Sequence, residues 1–232
     1  MLFNRTTSHF KDGNRQETAN KFIFLHIPKT GGTSVEFILQ NKYGSPHERH
    51  YNVRHMQGVL ENEEIDEYKI FTVIRNPFDR IISTWRWWAM HQDGFYSKPW
   101  LHKYNVPETS FKEYVFMIKK YFEGDKTDDD NPSKFTVDSE KAPLTVSHIE
   151  KLDWWLTKHD GGLVKCDFLR FEDLNNEWKR YRKQLKISKP LPHKNGSSSI
   201  PFTSNMTKLY DDETYKIVSE IYKYEIEMFN YE

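Results

Sequence analysis

Residues 22–34 read Phe-Ile-Phe-Leu-His-Ile-Pro-Lys-Thr-Gly-Gly-Thr-Ser, and no other stretch restricts the fold as strongly. The short apolar run at its start suits a strand buried on both faces of a parallel sheet. Pro28 has no N–H for a ladder and ends that strand. Gly31 and Gly32 let the backbone turn sharply and approach a ligand closely. Thr33 or Ser34 can cap the helix that follows through Val35, Ile38 and Leu39. A strand, a glycine turn and a helix start leave free amides at the helix N-terminus, where an anion can bind. Lys29, Thr30, Thr33 and Ser34 add one cation and three hydroxyls, so residues 29–34 read as a phosphate cradle. The common P-loop, G-x-x-x-x-G-K-[ST], carries its Lys after the glycines; here Lys29 precedes them. For Gly-Gly-Thr-Ser alone, a structural turn with a helix cap is the better reading.

The pattern recurs. Residues 69–74, Lys-Ile-Phe-Thr-Val-Ile, form a second buried strand and run into Arg75-Asn76-Pro77-Phe78-Asp79-Arg80. Asn-Pro opens a turn, and Pro77 suits the first turn of a helix. That helix, over 78–90, puts Ile81, Ile82, Trp85 and Trp88 on one apolar face. Arg75 ends the strand, and Ser83 lies in the helix after it. An arginine fork matches phosphate oxygens, and serine adds a donor. A surface Arg75–Asp79 pair explains the same residues about equally well, and such a pair contributes little. A third strand is expected over 163–171 with a helix over 172–185. Further helices are expected over 33–42, 56–68, 110–121, 147–158 and 211–229. Alternating strands and helices predict an α/β fold, an open and mainly parallel sheet between helices, with ligands beyond the carboxyl ends of its strands. Residues 1–20 are polar and read as a flexible N-terminal segment; residues 21–232 read as a single domain.

Charge excludes some partners. The chain has 34 basic and 34 acidic residues, which gives no global reason to bind nucleic acid or an anionic membrane. Cys166 is the only cysteine, so there is neither an intrachain disulfide nor a Cys/His zinc spacing. No apolar run approaches the ~20 residues of a membrane span, and residues 1–20 lack the apolar core of a signal peptide. A soluble, cytoplasmic protein is the expectation.

The full string His-Ile-Pro-Lys-Thr-Gly-Gly-Thr-Ser resembles the 5′-phosphosulfate loop of the sulfotransferases, especially the carbohydrate type and its soluble microbial relatives. Arg-Asn-Pro-x-Asp-Arg-x-x-Ser, residues 75–83, resembles the 3′-phosphate motif of that family. The resemblance implies a P-loop-like three-layer fold and the donor 3′-phosphoadenosine-5′-phosphosulfate (PAPS), with adenosine 3′,5′-bisphosphate (PAP) as product and no metal. It implies that Lys29, Thr30, Gly31, Gly32, Thr33 and Ser34 hold the 5′-phosphosulfate, and that Arg75 and Ser83 hold the 3′-phosphate. Phe168-Leu169-Arg170-Phe171-Glu172-Asp173 resembles a segment where relatives often carry Tyr-Glu-Asp. Phe171 then lies against adenine or belongs to the core. Residues 191–197 resemble a loop that closes over the donor, with Asn195 and Ser197 as candidates.

The resemblance further implies in-line attack by an acceptor hydroxyl, with Lys29 stabilising the leaving phosphate oxygen. Histidine suits the general base. His55, in Val53-Arg54-His55-Met56 between the two phosphate motifs, matches the segment where relatives carry it, and His50 is the fallback. His26 reads as a strand-end structural residue. Trp85 and Trp88 read as core, while Trp87 and Trp100 are candidates to line an acceptor groove for a carbohydrate. The rival readings are a P-loop-type nucleotide or small-molecule kinase, and a nucleotide-binding module without catalysis.

Overall fold

The computed structural model describes residues 2–11, 14–43, 50–60, 64–90, 110–124, 134–135, 144–192 and 206–232. In chain order the strands are β1 (Leu2–Lys11), β2 (Asn14–Leu25), β3 (Lys69–Ile74), β4 (Lys134–Phe135), β5 (Leu144–Thr145) and β6 (Cys166–Arg170). The helices are α1 (Gly32–Tyr43), α2 (Val53–Leu60), α3 (Pro77–Met90), α4 (Phe111–Phe122), α5 (Val146–Ile149), α6 (Leu152–Leu156), α7 (Leu174–Gln184), α8 (Asp212–Ile221) and α9 (Lys223–Phe229). Among the described residues no helix is long and apolar enough to cross a membrane.

The chain divides into two compact units. One holds residues 1–75 and 152–198, the other 76–151 and 199–232. The first carries the main sheet, in the order β1-β2-β3-β6. β2, β3 and β6 run parallel, and β1 pairs antiparallel with β2. The strand and helix alternation therefore gives the mixed α/β fold that the sequence predicts, with a three-stranded parallel sheet flanked by helices. Alternate strand residues share a face. Phe22 and Phe24 of β2, Phe71 and Val73 of β3 and Leu169 of β6 pack with Val35, Ile38 and Leu39 of α1 and with Trp178 and Tyr181 of α7. Ile23, Leu25 and Ile70, which alternate with them, are buried too. Burial on both faces is why these strands read as continuous apolar runs.

The second unit is mostly helical. Phe78, Ile81 and Ile82 of α3 pack with Phe111, Tyr114, Val115 and Ile118 of α4 and with Ile217 and Val218 of α8. Trp85 and Trp87 pack against this same core, and Trp87 meets the His148 ring at 4.4 Å. Trp87 is thereby a core-facing ring. Nothing beyond its helical backbone is described for Trp88, and Trp100 lies outside the described residues.

Several boundaries differ from the sequence reading. Where a flexible segment was expected over 1–20, the described backbone is strand, paired from Leu2 with Ile23 to Lys11 with Asn14. The helix expected over 147–158 is two short helices, and the division between the two units falls between them, at Lys151 and Leu152. The helix expected over 56–68 starts earlier, at Val53, and ends at Leu60, with a separate tight turn at Ile65–Glu67.

Candidate functional site

Parallel register decides which residues meet. Leu25 pairs with Thr72, and Ile74 pairs with Arg170. The segments just beyond these positions, residues 26–31, Arg75 and Phe171, thus leave the sheet at one edge, its carboxyl end. Ligands bind at this edge in open α/β sheets.

The first segment is a tight turn. Lys29 has φ 66° and Gly31 φ 82°, both in the left-handed region. Glycine adopts that region freely, but for lysine it costs of order 1 kcal/mol or more. Strain of this size persists only where neighbours hold it, and they do so here. The Thr30 hydroxyl, 1% exposed, donates to the Ile27 carbonyl at 2.8 Å. Arg75 Nη1 donates to the Lys29 carbonyl at 3.1 Å. With its hydroxyl turned inward, Thr30 can offer an anion its backbone N–H. Thr33 and Ser34 stand half-buried in the first turn of α1, and Ser34 N–H donates back to the Gly31 carbonyl at 3.2 Å.

Both glycines are also demanded by packing. A Cβ on Gly31 would lie 2.6 Å from the Phe171 ring, and one on Gly32 would lie 2.5 Å from the His26 ring. The His26 ring is buried beneath the turn, with Nδ1 2.8 Å from Glu36 Oε2 of α1. His26 is therefore the strand-end structural residue that the sequence suggested. His50, with φ 65°, donates Nδ1–H to the His26 carbonyl at 2.9 Å, and the two rings lie 4.7 Å apart.

Phe171 ties the turn to Arg75. The Arg75 guanidinium lies 4.3 Å from the Phe171 ring centroid, a cation–π distance. The ring edge meets Gly31, and the side chain packs against the sheet core. Of the two readings left open for Phe171, the core contact is thus present, and it comes with an arginine on one face. Lys29, Gly31, Arg75 and Phe171 form one contiguous cluster.

His55 sits elsewhere in the same unit, exposed in the first turn of α2. Its ring stacks on Tyr51 at 5.2 Å, and its Nδ1 lies 2.6 Å from Asn52 Oδ1. Asn52 was not singled out in the sequence, although an Asn before apolar residues at helical spacing (Val53, Met56, Leu60) is a cap signal. Ser83 lies half-buried in α3, in the other unit. Asn195 and Ser197 lie outside the described residues. Two further groups of the first unit, Cys166 and Tyr181, are held protonated. Burial pushes the Cys166 thiol well above its ordinary range. Burial, followed by a hydrogen bond to Asp167, does the same to the Tyr181 phenol.

In chemical terms, the edge offers a strained turn of backbone amides, a helix N-terminus, a lysine and an arginine in one cluster. That combination stabilises a phosphate-like anion and charge developing on its oxygens. Residues 15–232 match the profile of the sulfotransferase family. No curated protein and no solved structure matches the chain.

Proposed function

The chain belongs to the sulfotransferase family and is an enzyme of sulfuryl transfer, and on that premise we propose that its donor is PAPS and its acceptor a carbohydrate hydroxyl. The observation that carries this reading is the turn between β2 and α1, where Lys29 holds a left-handed backbone and its carbonyl is tied to Arg75. A lysine presented at a helix N-terminus suits the phosphosulfate end of that nucleotide. When bound, the donor supplies an activated sulfuryl group with a phosphate leaving group.

The residues of this chain do the rest. Backbone amides of 30–34 and the Thr33 and Ser34 hydroxyls orient the phosphosulfate. Lys29 neutralises charge on the bridging oxygen as the bond to sulfur breaks. Arg75 binds the 3′-phosphate, with Phe171 as the platform under its guanidinium. Ser83 takes part by its place in the motif that starts at Arg75, and Asn195 and Ser197 by their place in the loop over 191–197. His55 accepts the proton of the acceptor hydroxyl. Positioning and charge stabilisation supply most of the acceleration in transfers of this kind.

Thermal shift with PAP against ATP–Mg²⁺ tests the donor. Stabilisation by PAP and a weaker response to ATP–Mg²⁺ is the expected result. The reverse preference would overturn the reading in favour of a kinase. Transfer of labelled sulfate from PAPS to a pool of neutral and uronate-containing oligosaccharides tests the acceptor class; label appearing only on phenols or lipids in parallel pools would remove the carbohydrate assignment.

A further inference from the structure

The side chain that caps α2 also determines which nitrogen of His55 is free. Asn52 is 2% exposed. Its Oδ1 receives the backbone N–H of His55 at 3.1 Å and lies 2.6 Å from His55 Nδ1. A backbone N–H can only donate, so the atom facing it is the amide oxygen. The other end of the amide donates to the Trp154 carbonyl at 3.5 Å, which fixes the same orientation. An amide oxygen can only accept. The ring nitrogen opposite it must therefore carry a hydrogen: His55 is the Nδ1–H form. Neutral imidazole has a single N–H, so Nε2 keeps its lone pair. The Tyr51 ring, stacked at an interplanar angle of 30°, limits rotation of the imidazole.

We propose that Asn52 is a positioning residue for sulfuryl transfer, holding His55 as the Nδ1–H tautomer with Nε2 presented as the proton acceptor. This rests on His55 being the base. In the step it serves, the acceptor oxygen forms a bond to sulfur while the bond from sulfur to the bridging phosphate oxygen breaks. The electron pair of that bond leaves with PAP, and the hydroxyl proton passes to Nε2. The imidazolium so formed keeps its Nδ1–H bond to Asn52. The orienting group is a neutral amide, and this matters: a carboxylate there would hold the ring equally well but would also favour the charged imidazolium. The same side chain caps the helix, so the orientation of the base is coupled to the start of α2.

Nitrogen-15 NMR of the imidazoles in the full chain tests the tautomer without any acceptor. The expected result is Nδ1–H for neutral His55 in the wild type and a mixture of both tautomers in Asn52→Ala. Nε2–H in the wild type would overturn the proposal. Asn52→Asp preserves the cap and keeps the variant folded, and it should keep the Nδ1–H form while moving the His55 titration to higher pH. An unmoved titration in folded Asn52→Asp would reduce Asn52 to a cap. With PAPS and the oligosaccharide pool, Asn52→Ala should lose about 10- to 100-fold in kcat with KM for PAPS unchanged, and unchanged kcat would also overturn it. His55→Ala separates the two claims: wild-type turnover there removes the base assignment, whatever the tautomer of the ring.

Discussion

Arg75 and Arg80 stand in one short stretch of sequence and do opposite things. Arg80, in the helical unit, is 3% exposed. Its Nη2 donates to the Glu150 carbonyl at 2.7 Å, its Nη1 lies 3.9 Å from Glu225, and its guanidinium sits 5.3 Å from the Tyr222 ring. Around it Tyr121 donates to the Glu150 carboxylate, and Tyr222 donates to the Ile149 carbonyl at 2.5 Å. Burial first, and then the Glu150 carboxylate, keep the Tyr121 phenol protonated. Arg75, in the sheet unit, remains partly open to solvent and spends one arm on a strained backbone carbonyl and one face on an aromatic ring. A buried arginine enclosed by protein acceptors maintains architecture. An arginine at the carboxyl end of the sheet, partly open to solvent, holds a strained turn. Sequence alone cannot separate the two roles, because both residues belong to the same motif.

The largest expected effect breaks this contrast if it fails. Arg80→Ala removes the guanidinium that faces the buried Glu225 and the Glu150 carbonyl, and should cost about 3–5 kcal/mol of stability by chemical denaturation. Arg75→Ala should cost about 1.5–3 kcal/mol through the lost hydrogen bond to the Lys29 carbonyl, less than Arg80→Ala, and weaken PAP binding by 10-fold or more. Equal destabilisation by the two variants would erase the distinction. Next, Lys29→Ala should lower transfer by about 10²- to 10³-fold, the usual loss of a single electrostatic stabiliser. Isothermal calorimetry should find its PAP affinity lowered as well, because the oxygen that Lys29 neutralises in the breaking bond is a terminal 5′-phosphate oxygen of PAP.

Gly31→Ala sharpens the picture of the turn. The new methyl would meet Phe171 and force a β-carbon into left-handed backbone. A loss of about 1–3 kcal/mol is expected, read from the shift in denaturation midpoint. The smallest effect belongs to the helical unit. A hydrogen bond from Lys112, followed by the Thr214 N–H, holds the Asp211 carboxyl well below the usual carboxylate range. Its folded-state value is thus depressed. The stability it contributes is present above the unfolded carboxylate range and is lost as pH falls through the folded value. Asp211→Asn should therefore show a slightly shallower loss of stability between neutral and strongly acid pH than the wild type.

Much of the first unit was legible. Fully buried parallel strands appear as apolar runs, and glycine and proline punctuate their ends, so β2, β3 and β6 stand out with the turns that follow them. The Lys29, Gly31 and Arg75 cluster was legible for the same reason, since parallel register brings strand ends together. The hairpin partner β1 was missed because its residues are polar, although Asp12-Gly13 is a hairpin signal in the sequence. The division into two units was legible only in part: it crosses the chain at Arg75–Asn76 and Lys151–Leu152, inside stretches that carry no linker composition, and at Ser198–Ser199, inside a serine-rich one. The cap at Asn52 was missed because the helix was expected to begin only at Met56, four residues beyond it. The left-handed backbone of Lys29 had no sequence signal, since tertiary contacts impose it.

The contact between Phe171 and the glycine turn has a consequence for how the protein is made. Phe171 arrives with β6, which pairs with β3 across a span that contains residues 76–151, the first segment of the other unit. Pairings so distant along the chain close slowly, because the loop entropy must be met before the contact forms. During synthesis the turn at Lys29 emerges early, but the ring that packs on it and supports Arg75 emerges much later. A nascent chain thus carries the turn at 29–32 for most of its elongation without the aromatic ring that packs on Gly31, which arrives only with the last third of the polypeptide.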